Sequence, residues 1–96
     1  MFIDGTELDR YFETAEGTIW ISGLIEIRNG NLLLRRLLVY PTTGAKLPVG
    51  TPSMLEIVRS LKEEAIAQGL SAYSVDAERV YADKRERIIA ISGRLR

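Results

Sequence analysis

Thr18-Ile19-Trp20-Ile21-Ser22-Gly23-Leu24-Ile25-Glu26-Ile27-Arg28, Asn29-Gly30, and Asn31-Leu32-Leu33-Leu34-Arg35-Arg36-Leu37-Leu38-Val39-Tyr40 form the stretch that decides the fold. Ile19, Ile21, Gly23, Ile25 and Ile27 alternate with Trp20, Ser22, Leu24 and Glu26, which is the two-residue period of a strand. Asn29-Gly30 accepts positive φ at both central positions of a type I′ turn, so the chain comes straight back as a second strand. A two-residue turn fixes the register: Arg28 faces Asn31, Ile25 faces Leu34, and Gly23 faces Arg36. Strict alternation from that register puts Ile19, Ile21, Ile25, Ile27, Leu32, Leu34, Leu38 and Tyr40 on one face. Trp20, Leu24, Leu33, Leu37 and Val39 fall on the other. Both faces are largely apolar, so each requires cover.

On the amino-terminal side, Thr6 is placed to cap a short helix reaching Ala15, with Leu8, Tyr11, Phe12 and Ala15 along one side and Gly17 as its stop. On the carboxyl side, Pro41 ends the second strand and 42–50 is a loop with two glycines and Pro48. Thr51 suits a helix cap, Pro52 the first helical position, and Ser53 with Glu56 a capping box. The main helix then runs to about Gln68, where Gly69 is the expected stop, and its apolar stripe is Met54, Val58, Leu61 and Ala65 beside Ile57. Leu70 to Tyr81 reads as a third strand and Arg87 to Leu95 as a fourth, joined by the polar segment Ala82 to Arg85. The expected fold is a single α+β domain. It has a four-stranded, mostly antiparallel sheet, elements in the order α-β-β-α-β-β, and the main helix packed on one face. If the strands flanking that helix are parallel, the crossover is expected to be right-handed.

Leu38-Val39-Tyr40-Pro41, the glycine-bearing loop, the helix from Met54-Leu55-Glu56 to Ala65, and Gln68-Gly69-Leu70 resemble the acetyl-CoA-binding core of the GNAT acetyltransferases. The resemblance covers roughly residues 37–75. It implies a strand ending near a proline, a loop that holds the pyrophosphate of acetyl-CoA, and a helix leading to the next strand. By that likeness Gly44, Gly50 and Thr51 would lie at the pyrophosphate, with Lys46 in the same loop. The physics of a helix amino end points the same way, because its free N–H groups and the helix dipole attract anions.

Composition narrows the chemistry. The 96 residues include no cysteine and no histidine. Disulfides, thiolate nucleophiles and histidine-based catalysis are therefore absent from the chain. Thirteen basic residues balance thirteen acidic ones, which argues against nucleic acid as partner, since phosphate neutralisation normally demands a basic excess. No basic-then-apolar leader and no membrane-length apolar run is visible, so a cytoplasmic protein is expected.

Three further groups are candidates. Arg36, in mid-strand on an apolar face beside Gly23, marks an anion pocket unless it reaches the rim or pairs with Asp76 or Glu78. Arg79, Tyr81, Lys84, Arg85 and Arg87 resemble the working side chains of a histidine-free ribonuclease toxin, or else form a solvated hairpin tip. Asp4, Glu7, Asp9, Glu13 and Glu16 form either a metal or partner surface or an ordinary exposed helix face. The leading functional expectation is a non-enzymatic binding module of unassigned ligand. It would associate as a homodimer through Trp20, Leu24, Leu33, Leu37 and Val39, with an acyl-CoA-binding domain and a ribonuclease-type toxin as the alternatives.

Overall fold

A computed structural model of the chain describes residues 1–41 and 44–96. Its elements are β1 (Glu7–Thr14), β2 (Gly17–Arg28), β3 (Asn31–Tyr40), α1 (Thr51–Ala67), β4 (Ala72–Tyr81) and β5 (Lys84–Arg94). They form one five-stranded sheet in the order β1-β2-β3-β4-β5. β3 and β4, which flank the helix crossover, are parallel, and the other neighbours are antiparallel. Helix α1 lies on one face. The sheet therefore has five strands rather than four, and the chain has one helix rather than two.

The missing helix is β1. Glu7-Leu8-Asp9-Arg10-Tyr11-Phe12-Glu13-Thr14 satisfies both a helical stripe and a two-residue alternation, and tertiary pairing decides between them. Beside β2 every residue of the segment finds a ladder partner, from Glu7 opposite Leu24 to Thr14 opposite Gly17. Leu8 then enters the core with 1% exposure. The turn is held by Thr14, whose hydroxyl accepts the Glu16 N–H at 3.1 Å and donates to the Gly17 carbonyl at 3.0 Å. Gly17, expected to stop a helix, takes φ of 103° to close this hairpin instead.

β3 also departs from unbroken alternation. Pairing with β2 runs as expected from Arg28/Asn31 to Leu24/Arg35, then shifts by one residue, so that Ser22 faces Leu38 and Ile21 faces Val39. The pairing with β4 shifts at the same place, between Leu34 and Leu37. β3 thus carries one extra residue, a β-bulge centred on Arg36, which sits in the left-handed region at φ 54°. Its N–H, turned out of the ladder, donates to the Asp76 side chain at 2.5 Å. Alternation resumes in the opposite phase. Leu37 and Val39, expected on the outer face, are fully buried under α1, whereas Leu38 and Tyr40 move to the helix-free face. Gly23 fits this change, since a Cβ there would stand 2.5 Å from the Leu37 Cδ2.

The core lies between the sheet and α1. Ile19, Ile21, Ile25, Leu32, Leu34, Leu37, Val39 and Val75 meet Met54, Ile57, Val58, Leu61 and Ala65 of the helix, all nearly or wholly buried. The helix begins one residue earlier than its sequence signals suggest. Gly50 is the cap, Thr51 the first helical residue, and no side-chain cap bond forms. The Ser53–Glu56 capping box gives way because Ser53 faces the core, 2% exposed.

At its far end α1 is tied to β1 and to the amino-terminal segment. Phe2 is buried and exchanges two hydrogen bonds with the Gln68 side chain, each 2.7 Å. The Arg10 guanidinium lies 5.2 Å over the Phe2 ring and makes a two-pronged contact with Glu64, its Nη2 donating to Oε2 at 2.8 Å. The Arg10 hydrogen bond holds the Glu64 carboxyl down at about 2, from an ordinary 4.5, against the opposing effect of partial burial. A carboxyl lowered on folding stabilises the fold above its unfolded pKa and loses that contribution as pH falls toward its folded value. Glu64 should therefore contribute fully above about pH 4.5 and almost nothing near pH 2. Glu64→Gln should lower stability by roughly 1–2 kcal/mol at pH 7, a figure discounted for solvent screening. Urea denaturation at pH 7 and at about pH 2.5 should show the gap from wild type closing at the acid end. A gap of equal size at both values would mean the pair contributes nothing through its charge.

Candidate functional site

No described element covers the helix-free face of the sheet. Alternation and register place Tyr11, Trp20 and Tyr40 in one row across β1, β2 and β3. The Tyr11 and Trp20 rings stack at 6.2 Å and 20°, and those of Trp20 and Tyr40 at 4.5 Å and 22°. The Trp20 indole N–H donates to Asp9 at 2.5 Å, which fixes the middle ring of the row. Leu38 lies opposite Ser22 in the next row, followed by Leu24 with Arg35, then Glu26 with Leu33. Leu24 is 48% exposed and Tyr11 70% exposed. The apolar part of this face therefore spans β1 to β3. Towards β4 and β5 it turns polar, through Ser74, Asp76, Glu78, Arg85 and Arg87.

Stacking decides what such a row can bind. Each ring of the row has a face against its neighbour, so Trp20 has both faces occupied and offers its edge outward. Sugars and nucleobases bind to free aromatic faces. Ring edges with interspersed leucines offer instead a rigid, low-entropy apolar surface of the kind protein interfaces use.

Of the outer-face residues expected from sequence, Trp20, Leu24 and Leu33 lie on this face. Leu37 and Val39 do not, being core residues. Leu38, Tyr40 and Tyr11 are the members that sequence alternation missed. The available signal was the adjacent pair Arg35-Arg36. Unbroken alternation forces one of two neighbouring arginines inward, whereas a bulge leaves both exposed, as they are here. Arg36 makes no ion pair among the described residues, and it is its main chain, not its guanidinium, that meets Asp76.

The loop before α1 is built differently from an open anion cradle. Its first two residues, Thr42 and Thr43, lie outside the described residues. Gly44, at φ 82°, and Lys46 are exposed, with open space around the position a Gly44 Cβ would take. The Gly50 N–H points at the Glu16 carboxylate, with oxygens at 2.9 and 3.2 Å. Glu16, from the β1–β2 turn, thus supplies a negative charge of the chain's own at the amino end of α1. Thr51 beside it is exposed. An acetyl-CoA pyrophosphate held there would have to share or displace that carboxylate.

The basic segment near the β4–β5 turn is split by alternation. Arg79, Tyr81 and Lys84 lie on the helix side and line, with Pro48 and Glu86, a cleft of about 170 Å³. Arg85 and Arg87 face the other way. Within the cleft Arg79 pairs with Glu86 at 3.1 Å and donates to the Val49 carbonyl at 2.9 Å, and the Tyr81 hydroxyl donates to the Lys46 carbonyl at 2.6 Å, while the Lys84 ammonium is exposed. The amino-terminal carboxylates also disperse. Asp4 accepts the Ile27 N–H at 2.8 Å, Asp9 holds Trp20, Glu13 accepts from Thr18 at 2.6 Å, and Glu16 caps α1. No group of three or more potential metal ligands is found among the described residues. Nor is any described helix long and apolar enough to cross a membrane.

The Glu16 contact is open to test. Glu16→Ala removes both a hydrogen bond and a favourable charge–dipole interaction, and should lower stability by about 1 kcal/mol in urea denaturation. An unchanged midpoint would mean the carboxylate does not sit on the helix in solution.

Comparison with protein-family models, with curated proteins and with solved structures returns no match for this chain.

Proposed function

We propose that this chain is a non-enzymatic interaction module that associates with a second copy of itself through the helix-free face of the sheet. The observation that carries the reading is the apolar strip on β1 to β3: the stacked row Tyr11–Trp20–Tyr40 with Leu24, Leu33 and Leu38, and no described element over it. A contiguous exposed strip of this kind is the usual mark of an interaction site. The rings are already ordered by stacking and by the Trp20–Asp9 bond, so little conformational entropy remains to be lost on association.

Side-chain chemistry favours binding over catalysis. The sequence contains neither histidine nor cysteine. Glu64, whose carboxyl is held far below its ordinary value, spends its charge on Arg10 in a structural corner. In the cleft near the β4–β5 turn, Arg79 and Tyr81 are already bonded within the chain. A module that presents a preformed surface needs none of these groups to react.

Sedimentation over a range from micromolar to several hundred micromolar should show the mass rising from 10.8 kDa toward twice that value. Leu38→Glu, on the β3 side of the strip, should hold the chain monomeric across the range while far-UV circular dichroism stays unchanged. A wild-type chain that remains at one copy throughout would overturn the reading. So would a dimer that Leu38→Glu leaves intact.

A further inference from the structure

We infer that the two copies are related by a twofold axis running along β2, so that Glu7 of each copy meets Arg35 of the other. The inference rests on the reading of the helix-free face as the interface, and it adds the arrangement of the copies on that face.

Charge on the face discriminates among the possible twofold axes. Two copies packed face to face are related by a twofold lying in the interface plane, and aligned packing of the two sheets sets that axis nearly across the strands or nearly along them. An axis across the strands places β1 over the partner's β1 and sets the acidic column Glu7, Asp9 and Glu13 against itself. An axis along β1 does the same to Glu7 and Asp9. Along β3, it brings Arg35 onto its own copy. Along β4, it opposes Asp76 and Glu78 to themselves and leaves Tyr11 outside the contact. Like charges set directly opposite destabilise an interface, and one desolvated without a partner costs more still.

An axis along β2 sets only Glu26, of the acidic residues, against its own copy and lays Asp9, already held by the Trp20 N–H, over the partner's Leu38. β1 of one copy lies over β3 of its partner, row on row. Tyr11 then meets the partner's Tyr40, because both are in the Trp20 row. Glu7 meets the partner's Arg35, because both are opposite Leu24. Among the described residues neither the Glu7 carboxylate nor the Arg35 guanidinium makes a side-chain hydrogen bond or ion pair within its own chain, so each arrives free to pair. Trp20 and Leu24 meet their own copies on the axis. Glu26 also meets its own copy, but Arg28 stands 3.4 Å from its carboxylate and offsets the charge. The polar part of the face, on β4 and β5, stays in water.

The same arrangement sets the strength. Three strands about 4.8 Å apart and some 30 Å long bury on the order of 500 Å² per copy, so about 1,000 Å² in all. That is the class of reversible, concentration-dependent association, and the slight angle between twisted sheets is compatible with aligned packing.

Charge reversal tests it. Glu7→Arg alone sets an arginine against Arg35, and Arg35→Glu alone sets a glutamate against Glu7. Each variant, folded by circular dichroism, should dimerise at least about tenfold more weakly than wild type in sedimentation. An equimolar mixture of the two should recover the dimer as a heterodimer. At one of its two symmetry-related contacts the introduced arginine meets the introduced glutamate, and at the other native Glu7 meets native Arg35. A wild-type dimer that survives both single reversals, or a mixture no tighter than its components, would overturn the arrangement while leaving the interface standing. A wild type that never dimerises would overturn the interface and the arrangement together.

Discussion

One extra residue in the middle of β3 governs how the rest of the molecule is arranged. Around Arg36 the strand takes two residues to oppose one on each neighbour, Arg36-Leu37 against Gly23 of β2 and Arg35-Arg36 against Asp76 of β4, and Arg36 adopts a left-handed backbone that costs a residue with a Cβ about 1 kcal/mol or more. The cost is offset locally. Asp76 takes up the N–H that the bulge expels, and Gly23 leaves room for Leu37 to cross the space between β2 and β3. Without that exchange, continuing the strand in its first phase would drive an arginine into the core and bring Leu37 and Val39 out into water.

Both layers of the molecule follow from this shift. On the inner side, Leu32, Leu34, Leu37 and Val39 present one continuous ridge to α1, and the helix answers with Met54, Ile57, Val58, Leu61 and Ala65. On the outer side, Leu38 and Tyr40 join Trp20, and the aromatic row reaches β1 through Tyr11. The contacts that anchor the ends of α1, Glu64 with Arg10 and Glu16 with Gly50, both reach back to the β1–β2 hairpin. The hairpin thus fastens the helix to one face while its other side carries half of the open strip. The open strip and the core are thus two sides of the same strands.

Much of this was legible in the sequence, and the failures have identifiable causes. The β2–β3 hairpin and its turn followed from alternation and Asn29-Gly30, and α1 from Pro52, its apolar stripe and Gly69. β1 was misread because Leu8, Tyr11, Phe12 and Ala15 fit a helix as well as Leu8, Arg10 and Phe12 fit a strand, and only the free edge of β2 settles the choice. The phase of β3 was hidden by its own uniformity. Leu32, Leu33, Leu34, Leu37, Leu38 and Val39 are apolar in either phase, so the arginine pair alone carried the information. Contacts such as Asp76 to the Arg36 main chain, or Glu16 to Gly50, join segments 34 to 40 residues apart and have no local signature at all.

The absence of cysteine from the sequence makes the phase of β3 directly measurable. Single cysteines placed at 37, 38, 39 and 40 in turn, in dilute monomeric protein, report their accessibility through the rate of thiol alkylation under native conditions. Fast labelling at 38 and 40 with protection at 37 and 39 is expected from a bulge centred on Arg36. The reverse pattern, protection at 38 and 40 with fast labelling at 37 and 39, would mean that β3 keeps its first phase, and that neither the core nor the open strip is composed as described.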